Sequence, residues 1–166
     1  MARSGAGGPA GRIVGIEYDD PDETPLDLRR GSITIETPGR GFTDITAGVF
    51  EWLDGISAGD GLLTVFIRHT SASLTVQENA DPDVLADLMT ALDRLAPENA
   101  GYRHTVEGPD DMPAHIKALI TSVVISVPVA NGDIMLGTWQ ALYLIEHRSA
   151  PHSRNLALMF LGRAKT

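Results

Sequence analysis

Residues 61–73 read GLLTVFIRHTSAS. The first seven are almost continuously apolar, rich in β-branched and aromatic side chains, and bounded by glycine. A run this short with that composition predicts a central β-strand rather than a buried helix. It ends in Arg68-His69, followed by small hydroxyl residues. Side chains at a strand end are held rigidly while the loop beyond adapts to a ligand. Toward the N-terminus, residues 32–37 alternate Ile33 and Ile35 with polar neighbours, the period of a half-buried strand. Asp44 can cap a helix whose apolar residues Ile45, Val49, Trp52, Leu53 and Ile56 fall on one face, ending near Gly59.

Toward the C-terminus, residues 74–77 predict a second strand. Asp81-Pro82 reads as N-cap and first helical residue, with Leu85, Leu88, Met89, Leu92 and Leu95 as the buried stripe of that helix. Residues 96–112 form a long connection rich in Gly, Pro, Asn and Asp, and such connections usually carry function. A short helix at 115–120 follows. Val123, Ile125 and Val127 then alternate as a strand. Asn131-Gly132 predicts a two-residue hairpin, because its turn needs positive φ at both positions. Strands follow at 134–136 and 139–146, and Leu156, Leu158 and Phe160 alternate in the last one. About seven strands and three helices without regular βαβ alternation predict a single α+β domain with a largely antiparallel sheet or sandwich. Residues 1–28 read as a flexible acidic arm, with a partly ordered edge strand at 13–16 as the alternative. Residues 29–166 are expected to be the folded domain.

The 166 residues carry 13 Lys+Arg against 22 Asp+Glu, a net charge of −9, with no cysteine and five histidines. The acidic balance argues against a nucleic-acid binder, which needs a basic face. Without cysteine there is no disulfide, thiolate metal site or thiol chemistry. No apolar run reaches the ~20 residues of a membrane span, and the first residues lack the apolar segment of a signal peptide. A cytoplasmic domain is expected.

Any transition-metal site must therefore use imidazole, with carboxylate or water. His69 is a candidate base or metal ligand, and Thr70 and Ser71 are candidate donors to phosphate or carboxylate. The alternative is a turn whose hydroxyls cap the backbone. Glu78 and Asn79 are not needed to cap the following helix and can face a cleft. Asp87 lies beside the apolar stripe, where a carboxylate usually has a partner, or simply faces solvent. His69, His104 and His115 match no compact metal motif, yet could converge in space on a divalent ion. His147 and His152 flank a proline-containing turn and are expected at the surface. Trp139 and Gln140 could stack on and read a ring, or be a core Trp and an edge Gln. Arg154 could clamp an anion, or form a surface salt bridge.

Four stretches carry a resemblance: GLLTVFIRHTSASLT (61–75), QENADPDVLADL (77–88), AHIKA (114–118) and NGDIMLGTWQALY (131–143). In this order and spacing they resemble the YjbQ family, often called secondary thiamine-phosphate synthases, over residues 30–163. The resemblance implies an α+β homotrimer with a pocket around the HTSA and AH histidines. It makes His69, His104 and His115 the best site candidates and a bound zinc or magnesium ion plausible, with Glu78, Asn79, Asp87, Trp139 and Gln140 next. It also implies a phosphorylated small-molecule ligand, and a reaction joining a pyrimidine diphosphate to a thiazole phosphate with loss of pyrophosphate. Glu78 and Asp87 would serve with His69 in catalysis, and Arg68 and Arg154 could neutralise charge. The chain has no phosphate-cradling glycine loop. A metal- or ligand-binding trimer without turnover is the alternative. Pro113, just before the AH pair, departs from the family pattern and restrains the loop between His104 and His115.

Overall fold

The computed structural model describes residues 25–165. The expected arm up to residue 24, and with it the possible edge strand at 13–16, lies outside the described residues. Eight strands and three helices follow in the order β1 (Asp27–Thr37), β2 (Gly41–Asp44), α1 (Thr46–Gly55), β3 (Ala58–Ile67), β4 (Ala72–Glu78), α2 (Pro82–Leu95), α3 (Asp111–Ile120), β5 (Val124–Ala130), β6 (Asp133–Ile134), β7 (Gln140–Glu146) and β8 (His152–Ala164). The fold is α+β with antiparallel sheets, as the alternating segments predict. One sheet runs β1-β8-β3-β5-β6 and the other β2-β7-β4. β1 begins at Asp27, which pairs with Gly162, so the last two residues of the expected arm belong to the sheet.

The 61–67 run is indeed a central strand, paired with β5 on one side and β8 on the other. Its inward residues Leu63, Val65 and Ile67 meet Leu156, Leu158 and Phe160 of β8, Leu74 of β4, and Leu142 and Leu144 of β7. Val49 and Leu53 of α1 join the same core. Asp44 Oδ1 accepts the Thr46 N–H at 2.8 Å at the start of α1. Asp81 Oδ1 accepts the Asp83 N–H at 2.9 Å, capping α2. Asn131 and Gly132 take φ of 53° and 87°, the hairpin turn their identities predict.

Three expectations change. The stripe of α2 is not buried: no residue of that helix is fully covered, and Leu95 is 67% exposed. The helix is amphipathic, and Leu85, Leu88, Met89 and Leu92 are only half-buried, with Asp93 bonding Lys117 of α3 and Arg40. The third helix starts at Asp111 rather than at His115. Pro113 fits inside its first turn, where the missing N–H has no intrahelical partner to lose. His147 is not at the surface but 1% exposed, and His152 is half-buried. β7 is the middle strand of its sheet. Leu142 and Leu144 face the main core, while α3 packs over the other side of that sheet through Ala114 and Ala118. The residue that continues β7 is thereby buried with it.

His147 Nε2 meets Ser73 Oγ at 2.8 Å, and Nδ1 has no hydrogen-bond partner among the described residues. Burial, reinforced by the nearby Lys117 ammonium, lowers its pKa to about 4. The unfolded chain takes up that proton near 6.5, so the folded state is favoured by the neutral ring. The contribution is complete above pH 6.5 and is lost as pH falls toward 4. It is worth roughly 2 kcal/mol between pH 7.5 and 5. Urea unfolding at those two pH values measures the drop, and His147→Gln should remove most of it. An unchanged pH slope in that variant would refute the assignment.

Candidate functional site

The β3–β4 turn and α3 enclose an open cleft of about 1090 Å³. Met112, His115, Ile116 and Leu119 line one wall. They recur at helical spacing, so α3 turns a single face to the space. Phe66, Ile67 and Val123 supply apolar surface from the sheet side, and Arg68, His69, Thr70 and Ser71 form the polar end. The strand end thus delivers the residues its sequence advertises.

His69 Nε2 accepts the Asn155 N–H at 2.8 Å. That bond assigns the ring proton to Nδ1, leaving His69 a donor toward the cleft. Burial, then the Arg154 charge, lower its pKa, so the ring is neutral near pH 7. Arg154 lines the cleft, but its fork is already committed. Nε donates to Glu146 Oε2 at 2.7 Å and Nη2 to Oε1 at 2.6 Å. It is therefore neither a free anion clamp nor a surface salt bridge, since both partners are buried. Nη2 also donates to Ser71 Oγ at 3.1 Å, which leaves the Ser71 hydroxyl proton free for a ligand. Burial pushes the Glu146 carboxyl up, but bonds from Arg154, the Arg148 N–H and Thr37 outweigh it and hold the pKa below the usual range.

At the N-terminal end of α3, His104 Nε2 lies 2.7 Å from Asp111 Oδ2. His115 Nε2 lies 3.3 Å from the same oxygen. One ligand atom from each of these three residues lies within 4.8 Å of the others. Asp111 is 1% exposed, and its second oxygen is bonded by Arg148 Nη1. Arg148 also bonds Asp110 Oδ2 at 3.2 Å and the Glu107 carbonyl at 2.7 Å, pinning the connection to the end of β7. Burial raises the Asp110 pKa, but the Ser149 N–H and Arg148 outweigh it and leave it below the ordinary value. His115 Nδ1 lies 3.0 Å from the Thr70 carbonyl, an acceptor, so Nδ1 carries the proton. A neutral His115 then turns the Nε2 lone pair toward a carboxylate oxygen. Two lone pairs at that spacing call for a cation between them, a proton or a metal. The two imidazoles and one carboxylate fit a zinc-like ion better than magnesium, which prefers oxygen.

The expected histidine trio is thus divided. His104 and His115 converge, but their third partner is Asp111, and His69 stands apart in the cleft. Sequence reasoning missed Asp111 because the helix was started four residues late. The Asp111/His115 spacing of i,i+4 was the available signal. Glu78, Asn79, Asp87, Trp139 and Gln140 do not line this cleft. All but Asp87 lie at the far end of β4, about 20 Å away at the usual strand rise. The Asn79 N–H donates to the Trp139 carbonyl at 2.9 Å, and Gln140 Oε1 accepts the Gly137 N–H at 2.8 Å. Trp139 is 64% exposed rather than a pocket wall or core residue. Asp87 is exposed on α2.

The sequence profile of the family described as UPF0047 protein YjbQ-like matches residues 31–163. A UPF0047 protein of Synechocystis, sll1880, is 44% identical over 131 residues, covering 78% of this chain and 89% of that one. The UPF0047 protein YjbQ of Salmonella typhimurium is 45% identical over 118 residues, 70% of this chain and 86% of its own. Among solved structures, an uncharacterized conserved protein of the yjbq/upf0047 family from Clostridium acetobutylicum superposes with a TM-score of 0.72 at 36% identity, covering 78% of this chain and 98% of that one. A protein of unknown function from Sulfolobus solfataricus shares the fold at 20% identity, with a TM-score of 0.76, covering 83% of this chain and 99% of its own.

Proposed function

This chain belongs to the YjbQ-like UPF0047 family, and on that footing we propose that it binds a divalent cation at His104, Asp111 and His115 and a phosphorylated small molecule in the adjoining cleft. The observation that carries this reading is the His115 ring. Its Nδ1–H is held by the Thr70 carbonyl and its Nε2 faces Asp111 Oδ2 at 3.3 Å. The carbonyl fixes the tautomer in the way outer partners of metal-bound histidines do.

The apolar walls suit a ring. The Thr70 and Ser71 hydroxyls and the His69 Nδ1–H are donors for a phosphate, and Arg68 supplies a positive charge at the rim. The reaction proposed is the joining of a pyrimidine diphosphate to a thiazole phosphate. The carbon–oxygen bond to the diphosphate breaks, its electron pair leaves on pyrophosphate, and the thiazole nitrogen forms the new bond. The cation, when bound, supplies charge neutralisation for the leaving group. The chain's own residues orient the ring, donate hydrogen bonds to phosphate oxygens and keep water from the apolar wall. Among the described residues no helix is long and apolar enough to cross a membrane, and we place the protein in the cytoplasm as a homotrimer.

A second reading, binding without turnover, is favoured by one observation: no carboxylate lines the cleft of a single chain. Complementation separates the two. A strain lacking its main thiamine-phosphate synthase should grow without thiamine when it expresses this protein, and should not when it expresses His115→Ala. Failure of the wild type at good expression would remove the thiamine reading and leave ligand binding.

A further inference from the structure

The outer face of the five-stranded sheet carries several exposed apolar side chains. Leu62, Phe66, Met159 and Leu161 are each 42–45% exposed. Leu62 pairs with Leu161, and Phe66 with Val124, with the Thr64–Ser126 hydroxyl pair between them on the same face. Arg68, which is exposed and forms no salt bridge among the described residues, stands at the edge of this patch, where it runs into the mouth of the cleft. The opposite end of the molecule has the complementary character. Glu78, Asp81, Asp83 and Asp87 form no ion pair among the described residues. Trp139, whose carbonyl accepts the Asn79 N–H, is 64% exposed at this end, and Met135, just beyond β6, is 62% exposed.

A closed ring of three copies requires unlike patches, because its interface is heterologous: one face of each copy meets a different face of the next. This chain has one apolar patch edged with positive charge and one acidic patch with an exposed aromatic. The first also lies where the cleft lacks both a carboxylate and a lid. We infer that the acidic tip of one protomer docks over the cleft of its neighbour and completes the site. Glu78 is the carboxylate it brings, and Trp139 covers the mouth. Opposite charges set the direction of docking, and the apolar surface supplies the affinity. The inference rests on the homotrimer proposed above. It also gives a place to Glu78 and Trp139, which no site within one chain uses.

The absence of cysteine from the chain makes the test clean. Leu119, 82% exposed at the cleft wall, and Met135 are both replaced by cysteine. Within one chain Leu119 lies on α3 at the cleft and Met135 just beyond β6. A short bis-maleimide should convert more than half of Leu119→Cys/Met135→Cys into covalent dimer and trimer on a denaturing gel, with neither single variant giving a trimer. The pair Val123→Cys/Asp83→Cys probes the same apposition should the first variant fail to assemble. Light scattering on the wild type separates the outcomes. Three times the 17.7 kDa chain mass without cross-linking in either pair would overturn the docking inference and leave the trimer standing. A wild-type monomer would overturn both.

Discussion

Arg154→Met should lower the free energy of unfolding by about 3–5 kcal/mol, the largest stability effect expected of a single substitution here. The guanidinium and the Glu146 carboxylate are buried together, joined by two bonds of 2.7 and 2.6 Å. Thr37 Oγ1 and the Arg148 N–H complete the acceptor set of Glu146 at 2.8 and 2.9 Å. Removing the arginine leaves a negative charge in the core with two neutral donors. The carboxyl then picks up a proton, so the loss should be larger at pH 8 than at pH 5. Chemical unfolding at both pH values measures it. The double variant Arg154→Met/Glu146→Leu should recover much of the stability, because no unpaired charge remains. It should not recover function, since Ser71 loses the donor that holds its hydroxyl. A loss below about 1 kcal/mol for Arg154→Met would mean that water reaches the pair.

His115→Ala should weaken zinc binding by at least about 100-fold, beyond what the loss of an outer partner usually costs. The histidine is one of two rings around a single carboxylate oxygen, and it is partly exposed, so the fold tolerates its removal. His104→Ala should act in the same direction. Thr70 offers only its backbone carbonyl to His115, so Thr70→Ala should leave zinc affinity close to wild type while weakening phosphate binding. His69→Ala should also leave zinc affinity intact, because its Nε2 is held by the Asn155 N–H. Isothermal titration with zinc over this set distinguishes the His104/Asp111/His115 site from a trio that includes His69. Equal losses in His69→Ala and His115→Ala would favour the trio.

The sequence made the local devices plain. The 61–67 strand, the Asp81 cap and the Asn131-Gly132 turn each depend on residues within a few positions of one another, and each stands in the structure. His147 did not announce its burial. It sits between Glu146 and Arg148 at the start of a turn, and only the packing of α3 on the three-stranded sheet, against β4, removes it from water. Asp111 was hidden by Pro113, which reads locally as a loop signal yet fits the first turn of α3. The apolar stripe of α2 misled in the other direction, since periodicity reports an amphipathic helix without saying whether its partner lies in the same chain. Arg154 was legible only as a cation that could clamp an anion or form a surface salt bridge. Its pairing with Glu146, eight residues earlier on the neighbouring end of β7, depends on how the two sheets stack.

The most direct test of the central claim is anomalous diffraction at the zinc edge from crystals grown with zinc. A peak is expected at about 2.0–2.2 Å from His104 Nε2, Asp111 Oδ2 and His115 Nε2, with the Thr70 carbonyl still bonded to His115 Nδ1. A zinc peak bound by His69, or none at the cluster with His115 and Asp111 still in contact, would contradict it.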